Sequence, residues 1–309
     1  MKAVCQTIAR SRPERRYFLW LTTPLLVIGI LLTSLMGCQG QSAPAKDSPD
    51  SSREINIFAG AASKPPLDEA AASFEQRTGL KVYLTYGGSG AVLSQMELAK
   101  TGDIYIPGSP DYLVKSENKK ITDPASAKIL AYLVPVIAVQ HGNPRGIQAL
   151  EDLARPAIKV GIGNPEAVCL GLYSVEILEY NRALPAVMKN VVTYADSCEK
   201  TATLISLKSV DAVIGWHVFQ DWDPANIDVV YLKPEQLPRI AYIPAAISNF
   251  ARNKAGAQSF IDYLTSDSGQ KIFQKWGYFA SEAEAKKYAP QAKIGGEYQL
   301  PDAYKALVK

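Results

Sequence analysis

The sequence predicts an α/β fold of two lobes, each a mostly parallel sheet flanked by helices, with two crossover strands between the lobes. Short apolar runs alternate with helical patterns, which is typical of βαβ units on a parallel sheet. The alternation occurs twice, and each round ends in a long apolar stretch with an internal proline, at residues 129–139 and 239–247. About 270 residues follow an N-terminal leader, a length that suits two lobes better than one core.

The predicted elements follow this rhythm along the chain. Residues 54–135 supply the first lobe, with strands at 55–58, 81–85 and 104–106 and helices at 65–78, from 91 onward and near 111–117. Residues 136–243 supply the second lobe, with strands at 159–162, 191–194 and 212–214 and helices ending near 180 and 207. Residues 244–309 return to the first lobe with helices at 255–264 and 269–276. Pro135 and Pro244 are the expected hinges.

The N-terminus has the layout of an export signal. A basic segment precedes an apolar run over residues 19–36, and small residues follow it, as at a signal cleavage site. The run is also long enough for an uncleaved membrane anchor. Leu35-Met36-Gly37-Cys38 resembles the lipobox of bacterial lipoproteins, which implies removal of residues 1–37 and a lipid on Cys38. Residues 38–53, rich in small and polar side chains, predict a flexible tether outside the cytoplasm.

Charge excludes some classes of partner. The leader holds five of the 33 basic residues and one of the 30 acidic residues, so the remaining chain is close to neutral. The sequence has no basic stripe or zinc-finger spacing, and we therefore expect no nucleic-acid binding. An anionic ligand would have to be held by local donors, because a broad positive field is missing.

Two cysteines remain once Cys5 leaves with the leader and Cys38 takes the lipid. Cys169 and Cys198 form an even pair, and export predicts an oxidising compartment, so we expect a disulfide between them. The alternative is two buried free thiols, since sequence does not show whether the two residues lie close enough to bond.

Two loops have the composition of an anion site. Ser63 follows the first strand in Ala59-Gly60-Ala61-Ala62-Ser63, and Ser89 follows the second in Tyr86-Gly87-Gly88-Ser89-Gly90. Ligands of open α/β sheets collect at the carboxyl ends of strands, where helices begin with unpaired N–H groups. Glycine allows the backbone to come close to a ligand. The alternative role for each serine is structural, as an ordinary helix cap. Together the two loops predict donors that converge on one small acceptor.

These loops and three more resemble the periplasmic molybdate-binding proteins of ABC importers in order and spacing over nearly the whole exported region. The resemblance implies a two-lobed type II periplasmic-binding-protein fold with an oxyanion between the lobes. The five segments that carry it are Ile57-Phe58-Ala59-Gly60-Ala61-Ala62-Ser63, Tyr86-Gly87-Gly88-Ser89-Gly90, Gly102-Asp103-Ile104-Tyr105-Ile106-Pro107-Gly108, Gly163-Asn164-Pro165-Glu166-Ala167-Val168 and Tyr242-Ile243-Pro244-Ala245-Ala246.

The resemblance also implies the ligand contacts. Ser63 and Ser89 match the two first-lobe serines, while Leu170 and Cys198 match contacts from the second lobe. The family's tyrosine hydroxyl is replaced by Gly215-Trp216-His217, so Trp216 is the expected donor there.

His217 is the alternative donor to Trp216, although a structural role is the more common one for such a histidine. Glu166 and Asp196 lie close enough in sequence to favour phosphate if either carboxylate entered the cleft. A role as helix-start charges is the simpler expectation for both.

The resemblance implies a substrate-binding lipoprotein that captures molybdate or tungstate, without cofactor or resident metal. Its expected partners are an ABC permease with its ATPase and, through the lipid, the membrane, and we expect a monomer. The alternatives are a binder of phosphate, sulfate or ferric iron on the same fold, or a ligand-sensing domain. An enzyme is not expected, since the two histidines lie in separate segments and common catalytic motifs are missing.

Overall fold

The computed structural model describes residues 53–308, which form two sheets flanked by helices. The predicted signal peptide, Cys38 and the tether up to residue 52 lie outside the described residues. The first part of the chain contains β1 (Glu54–Gly60), α1 (Lys64–Thr78), β2 (Lys81–Gly87), α2 (Ser89–Ala99), β3 (Ile104–Ile106), α3 (Pro110–Asn118) and β4 (Lys128–Leu133).

The middle part of the chain builds the second sheet, and the last part returns to the first. The middle elements are β5 (Pro135–Gln140), β6 (Val160–Gly163), α4 (Cys169–Tyr180), α5 (Leu184–Met188), β7 (Val191–Ala195), α6 (Cys198–Ser206), β8 (Ala212–Trp216), α7 (Phe219–Trp222) and β9 (Ile227–Tyr231). The last elements are β10 (Arg239–Ile247), α8 (Lys254–Thr265), α9 (Asp267–Lys275), α10 (Glu282–Lys286), β11 (Lys293–Ile294) and α11 (Asp302–Leu307).

The sheet order confirms the predicted two-lobed α/β fold. The first sheet has the order β11-β10-β3-β1-β2 with β4 also paired to β10, and the second has the order β7-β6-β8-β5-β9. In each sheet the strands that lead into the predicted binding loops are parallel: β1 with β2 and β3, and β6 with β7 and β8. Parallel strands bring their following loops to one edge, so each lobe presents a cluster of helix starts.

Local sequence accounts for the first βαβ unit. β1 lies between two strands, and its buried residues alternate with half-buried ones along most of its length. The edge strand β2 instead alternates exposed and half-buried residues. Two prolines near the start of α1 suit the first helical turn, and Gly79 ends the helix at φ 72°. This unit therefore places the loop after β1 beside the loop after β2.

The long apolar stretch at residues 129–139 is two strands rather than one. β4 pairs with β10 in the first sheet, β5 pairs with β8 and β9 in the second, and Val134 separates them. Periodicity cannot reveal this division because β5, and β4 after its first two residues, are buried or half-buried.

The return crossing comes earlier than predicted. β10 pairs along its whole length with strands of the first sheet, so the chain has left the second sheet before Arg239, not at the expected boundary at 244. Pro244 lies inside this strand at an irregularity opposite Ile129, and it is not a crossing point.

The C-terminal segment differs from the prediction as well. α8 packs on α1 through Phe260 and Phe74, whose ring centroids are 5.1 Å apart, as expected for the first lobe. Ala285, Ala289 and Tyr304 instead join the apolar cluster of the second lobe. The segment after α9 therefore contacts both lobes, although the prediction placed all of residues 244–309 in the first.

Among residues 53–308, we find no helix with the length and apolarity needed to cross a membrane.

Candidate functional site

The two predicted serines lie together in the first lobe. Ser63 is fully buried and its hydroxyl donates to the Gly60 carbonyl oxygen at 3.1 Å. The Ser89 hydroxyl accepts a hydrogen bond from the Gly108 backbone N–H at 3.0 Å. Gly88, not Ser89, occupies the cap position of α2, so Ser89 is the first helical residue. Neither serine caps its own helix through its side chain.

Glycine brings the three first-lobe loops into contact. A Cβ atom added to Gly60 would lie 2.7 Å from both the Ser89 Oγ and the Gly108 backbone nitrogen. Such distances are too short for any side chain at position 60. The loops after β1, β2 and β3 therefore meet around the Ser89 hydroxyl, and only residues without a Cβ allow that approach.

The second lobe contributes two cysteines at helix starts. Cys169 is the first residue of α4 and Cys198 the first residue of α6, and both are buried. Their Sγ atoms lie 3.8 Å apart, and both are free thiols. The predicted disulfide is thus not formed in this structure, while the predicted proximity of the two residues is present.

Cys198 lies among hydrogen-bond donors. Burial works against its thiolate, but donors from the Cys169 thiol, the Trp216 indole and the Leu170 backbone N–H together lower its pKa. The pKa of Cys169 is raised, first because it donates to Cys198 and then because of burial. Of the two thiols, Cys198 is therefore the one that ionises more readily.

The two lobes touch directly at these loops. A Cβ atom on Gly108 would lie 2.7 Å from the Cys169 Sγ and 3.7 Å from the Ser89 Oγ, so the cysteine faces the first-lobe serine. Beside it, the Gly90 backbone N–H donates to the Ala167 carbonyl oxygen at 2.9 Å. Leu170 and Trp216 thus lie at Cys198, and Cys169 lies between Cys198 and Ser89 of the first lobe. Ser63 hydrogen-bonds to Gly60 in the neighbouring loop.

Trp216 and His217 have different roles. Trp216 is fully buried, and its indole N–H makes no well-formed hydrogen bond with any residue in the range 53–308, although Cys198 lies beside it. His217 accepts from the Val134 N–H through Nδ1 at 3.2 Å, lies 3.0 Å through Nε2 from the Gly277 carbonyl oxygen and stacks on Phe279. Burial lowers its pKa to about 4, so it is neutral at pH 7. His217 therefore holds the chain at Val134, where it crosses between the lobes, whereas Trp216 faces the site.

The two carboxylates that neighbour the second-lobe loops in sequence are exposed. Glu166 is exposed, and Asp196 is exposed and paired with Lys200 at 2.8 Å. Ser197 caps α6 by accepting the Lys200 N–H. Residues 53–308 contain no cluster of three or more histidine, cysteine or acidic side chains suited to a metal ion. The chemistry at the centre is that of neutral donors and two sulfur atoms.

An open cavity of about 510 Å³ lies beside these loops and has walls from both lobes. Lys64, the residue after Ser63, lines it from the first lobe, and Glu199, the residue after Cys198, lines it from the second. Trp222 and Trp276 form apolar walls.

A buried ionic cluster on another part of the lobe boundary was missed by the sequence analysis. Arg239 contacts Asp111 of the first lobe at 3.1 Å and Glu176 of the second at 2.7 Å. Its guanidinium also lies over the Tyr173 ring, 4.4 Å from the centroid. A lone arginine at the start of a long apolar strand was the available signal, but its partners are distant in sequence.

Comparisons with known proteins agree with this architecture. A Bacillus subtilis chain named as an ABC transporter substrate-binding lipoprotein, YvgL, is 23% identical over 248 residues, covering 79% of this chain and 92% of that one. The periplasmic molybdate-binding protein of Azotobacter vinelandii superposes with a TM-score of 0.65 at 18% identity, covering 74% of this chain and 100% of that one. The sulfate-binding protein SubI of Mycobacterium tuberculosis superposes with a TM-score of 0.66 at 18% identity, covering 78% of this chain and 93% of that one.

The family model for bacterial extracellular solute-binding proteins matches residues 55–279. This range includes the strands from β1 to β10 and all the loops that meet around Ser89 and Cys198. The chain therefore belongs to the bacterial extracellular solute-binding protein family.

Proposed function

We propose that this protein is the extracytoplasmic substrate-binding lipoprotein of an ABC importer and captures a tetrahedral oxyanion, molybdate or tungstate, between its lobes. The observation that carries the proposal is the convergence of neutral donors from both lobes on the buried pair Cys169 and Cys198. Ser89 contributes from the first lobe, and the Leu170 N–H and the Trp216 indole N–H contribute from the second. Its role is binding and delivery, not catalysis.

Neutral donors suit a cargo that must be released again. A dianion that leaves water loses strong hydration, and charge-assisted hydrogen bonds from N–H and O–H groups replace it. Three of the predicted contact residues lie at helix starts, Ser89 on α2, Leu170 on α4 and Cys198 on α6, where the partial positive field of a helix also favours an anion. Because no full positive charge holds the ligand, separation of the lobes is sufficient for release.

The choice of oxyanion follows from what faces the site. Protonated phosphate requires an acceptor, and the two nearest carboxylates in sequence, Glu166 and Asp196, are both exposed. Molybdate and tungstate are larger than sulfate, so cavity size would discriminate among them. The names of the two solved neighbours, one for molybdate and one for sulfate, support an oxyanion and leave the selection between them to the test.

The proposed partners are a membrane permease with its ATPase. The description of the Bacillus relative as an ABC transporter lipoprotein supports this assignment. The lipid on Cys38 and the tether that follows it lie outside the described residues and rest on the sequence pattern alone. We propose that they hold a monomer at the periplasmic face of either the cytoplasmic or the outer membrane.

Calorimetric titration of the purified protein tests the proposal. We expect tight binding of molybdate and tungstate and weaker binding of sulfate and phosphate. Ser63→Ala and Ser89→Ala each should weaken molybdate binding by about 1 to 3 kcal/mol, because each removes a proposed hydroxyl donor. Ser209→Ala, at an exposed position, is the matched control and should bind like the parent protein. Tight ferric iron binding without oxyanion binding, or unchanged affinity in both serine variants, would contradict the proposal.

A further inference from the structure

The two thiols lie where the ligand donors converge. Cys169 Sγ and Cys198 Sγ are 3.8 Å apart, against about 2.05 Å in a disulfide. A movement of roughly 1.8 Å would bring the sulfur atoms to bonding distance. Both residues begin helices that follow parallel strands of the same sheet, so the approach requires no change of fold. The pair can therefore exist as a dithiol or as a disulfide.

In the dithiol form, the Cys198 sulfur atom takes up hydrogen-bond donors that an oxyanion needs. The Leu170 backbone N–H and the Trp216 indole N–H both face Cys198 Sγ, and the Cys169 thiol donates to the same atom. On the opposite side, Ser89 hydrogen-bonds with Cys169. A thiolate at Cys198 places negative charge within the site, where it would repel a bound dianion at close range.

In the disulfide form, the same donors are released. A disulfide sulfur has no charge and no proton, and it is a weak acceptor. The Leu170 and Trp216 N–H groups then point at a space that a dianion can share without repulsion. Oxidation therefore removes both the competing acceptor and the competing charge.

We propose that Cys169 and Cys198 form a redox-active site in which the disulfide permits tight oxyanion binding and the dithiol weakens it. This inference rests on the proposed oxyanion site. It assigns to the pair a second kind of partner, a thiol–disulfide exchange protein or a small disulfide such as oxidised glutathione.

The chemistry requires only such a disulfide as oxidant. Cys198 thiolate attacks one sulfur of the partner's disulfide, forming a mixed disulfide and releasing the partner's other sulfur as a thiolate. Cys169 then loses its proton to that thiolate or to water and attacks Cys198 Sγ. The Cys169–Cys198 bond forms and the mixed disulfide breaks, so the partner takes two electrons and leaves as a protein dithiol or, for oxidised glutathione, as two glutathione thiols.

Access to the pair depends on the lobes. Cys169 and Cys198 are buried in the present structure, and Cys169 faces Gly108 and Ser89 of the first lobe. Separation of the lobes removes that cover from the thiols. Exchange therefore belongs to the open protein, and a bound oxyanion that holds the lobes together protects the pair.

The groups around the pair leave Cys198 as the one whose pKa is lowered. Tyr105, Tyr112 and Tyr278 face the sulfur atoms, and burial raises the pKa of each tyrosine, so they remain neutral. Asp111, the charged neighbour of Cys169, is ion-paired with Arg239. A change in affinity between pH 6 and pH 8 in the reduced protein would thus report the charge on Cys198.

The test compares the two redox states of the unaltered protein. The protein is equilibrated in glutathione buffers, its thiols are counted by alkylation and mass spectrometry, and molybdate is titrated into each form at pH 6 and pH 8. We expect an intramolecular disulfide, with molybdate affinity at pH 8 at least tenfold higher in the oxidised than in the reduced form. The difference should narrow at pH 6, and the oxidised form should show the same affinity at both pH values.

Variants separate the two cysteines. Cys198→Ser should bind molybdate with no pH dependence between 6 and 8, since no thiolate forms at the site. Cys169→Ser should retain the pH dependence and form no internal disulfide.

Three results would overturn the inference. They are failure of the pair to form an internal disulfide at any glutathione ratio, equal affinity of the two forms, and no oxyanion binding by either form. Equal and tight binding leaves the proposed function intact, whereas binding by neither form removes the proposed function as well.

Discussion

The boundary between the lobes differs sharply between the binding loops and the Arg239 cluster. At the binding loops the lobes meet through neutral groups, such as the Gly90 N–H and the Ala167 carbonyl oxygen at 2.9 Å. At the Arg239 cluster they meet through buried charges, with Asp111 and Glu176 on either side of one guanidinium. Neutral bonds can exchange with water at small cost, whereas separated buried charges cannot. We therefore expect the lobes to separate at the binding loops and to stay in contact at the Arg239 cluster.

Removal of the arginine should produce the largest effect. Arg239→Met leaves Asp111, which is fully buried, without its cation, and we expect a loss of about 3 to 5 kcal/mol in unfolding free energy. Urea unfolding measures it. Arg145→Met is the matched control, since Arg145 is half-exposed in its pair with Asp211 and should cost less than about 1 kcal/mol. Equal losses in the two variants would erase the distinction between the cluster and an ordinary surface pair.

A pH experiment examines the crossing at Val134. The pKa of His217 falls from 6.5 to about 4 because burial disfavours its charged form. The unfolded chain therefore takes up a proton first, and the stabilisation present above pH 6.5 is lost as the pH falls toward 4, by about 3 kcal/mol. Urea unfolding at pH 7 and pH 4 should show this loss, and His217→Gln should lack it. The exposed His141→Gln should behave as the parent does, and a parent-like slope in His217→Gln would refute the assignment.

A methyl group added at the binding loops tests the other half of this comparison, the neutral contact between the lobes. In Gly88→Ala the new Cβ would lie 2.7 Å from the Ala167 and Asp196 carbonyl oxygens of the second lobe. We expect molybdate affinity to fall at least tenfold, about 1.4 kcal/mol, with unfolding free energy nearly unchanged. Gly87→Ala is the adjacent control, because its Cβ meets only Val92 of its own lobe, at 3.1 Å. Equal affinity in both variants would show that the lobes need not meet at these loops.

Much of the fold was predictable because it depends on local patterns. The strand at residues 104–106 and the helix at 65–78 agree with β3 and α1 to within one residue. The division at Val134 was not predictable, since β4 and β5 are both mostly apolar and mostly buried or half-buried and differ only in which sheet they join. Strand β9 and the short α10 and α11 were missed because their sequences carry weak periodicity.

The candidate site shows a similar limit. The serines and the second-lobe helix starts could be named from motifs, but the contact between Cys169 and Ser89 joins two lobes and has no local signal. The 3.8 Å separation of the two sulfur atoms is likewise a tertiary fact. Arg239 escaped notice because Asp111 and Glu176 come from different segments of the chain.

The position of Val134 has a mechanical consequence. Its N–H donates to the His217 imidazole, and its carbonyl oxygen accepts the His217 backbone N–H at 3.1 Å, so this residue is fastened to the second lobe. Torsional freedom at this crossing is then left to the bonds on the Leu133 side. A small rotation about these bonds displaces atoms far from Val134 more than atoms near it. A slight twist at the crossing would therefore open the cleft widely on the side that a docked permease contacts.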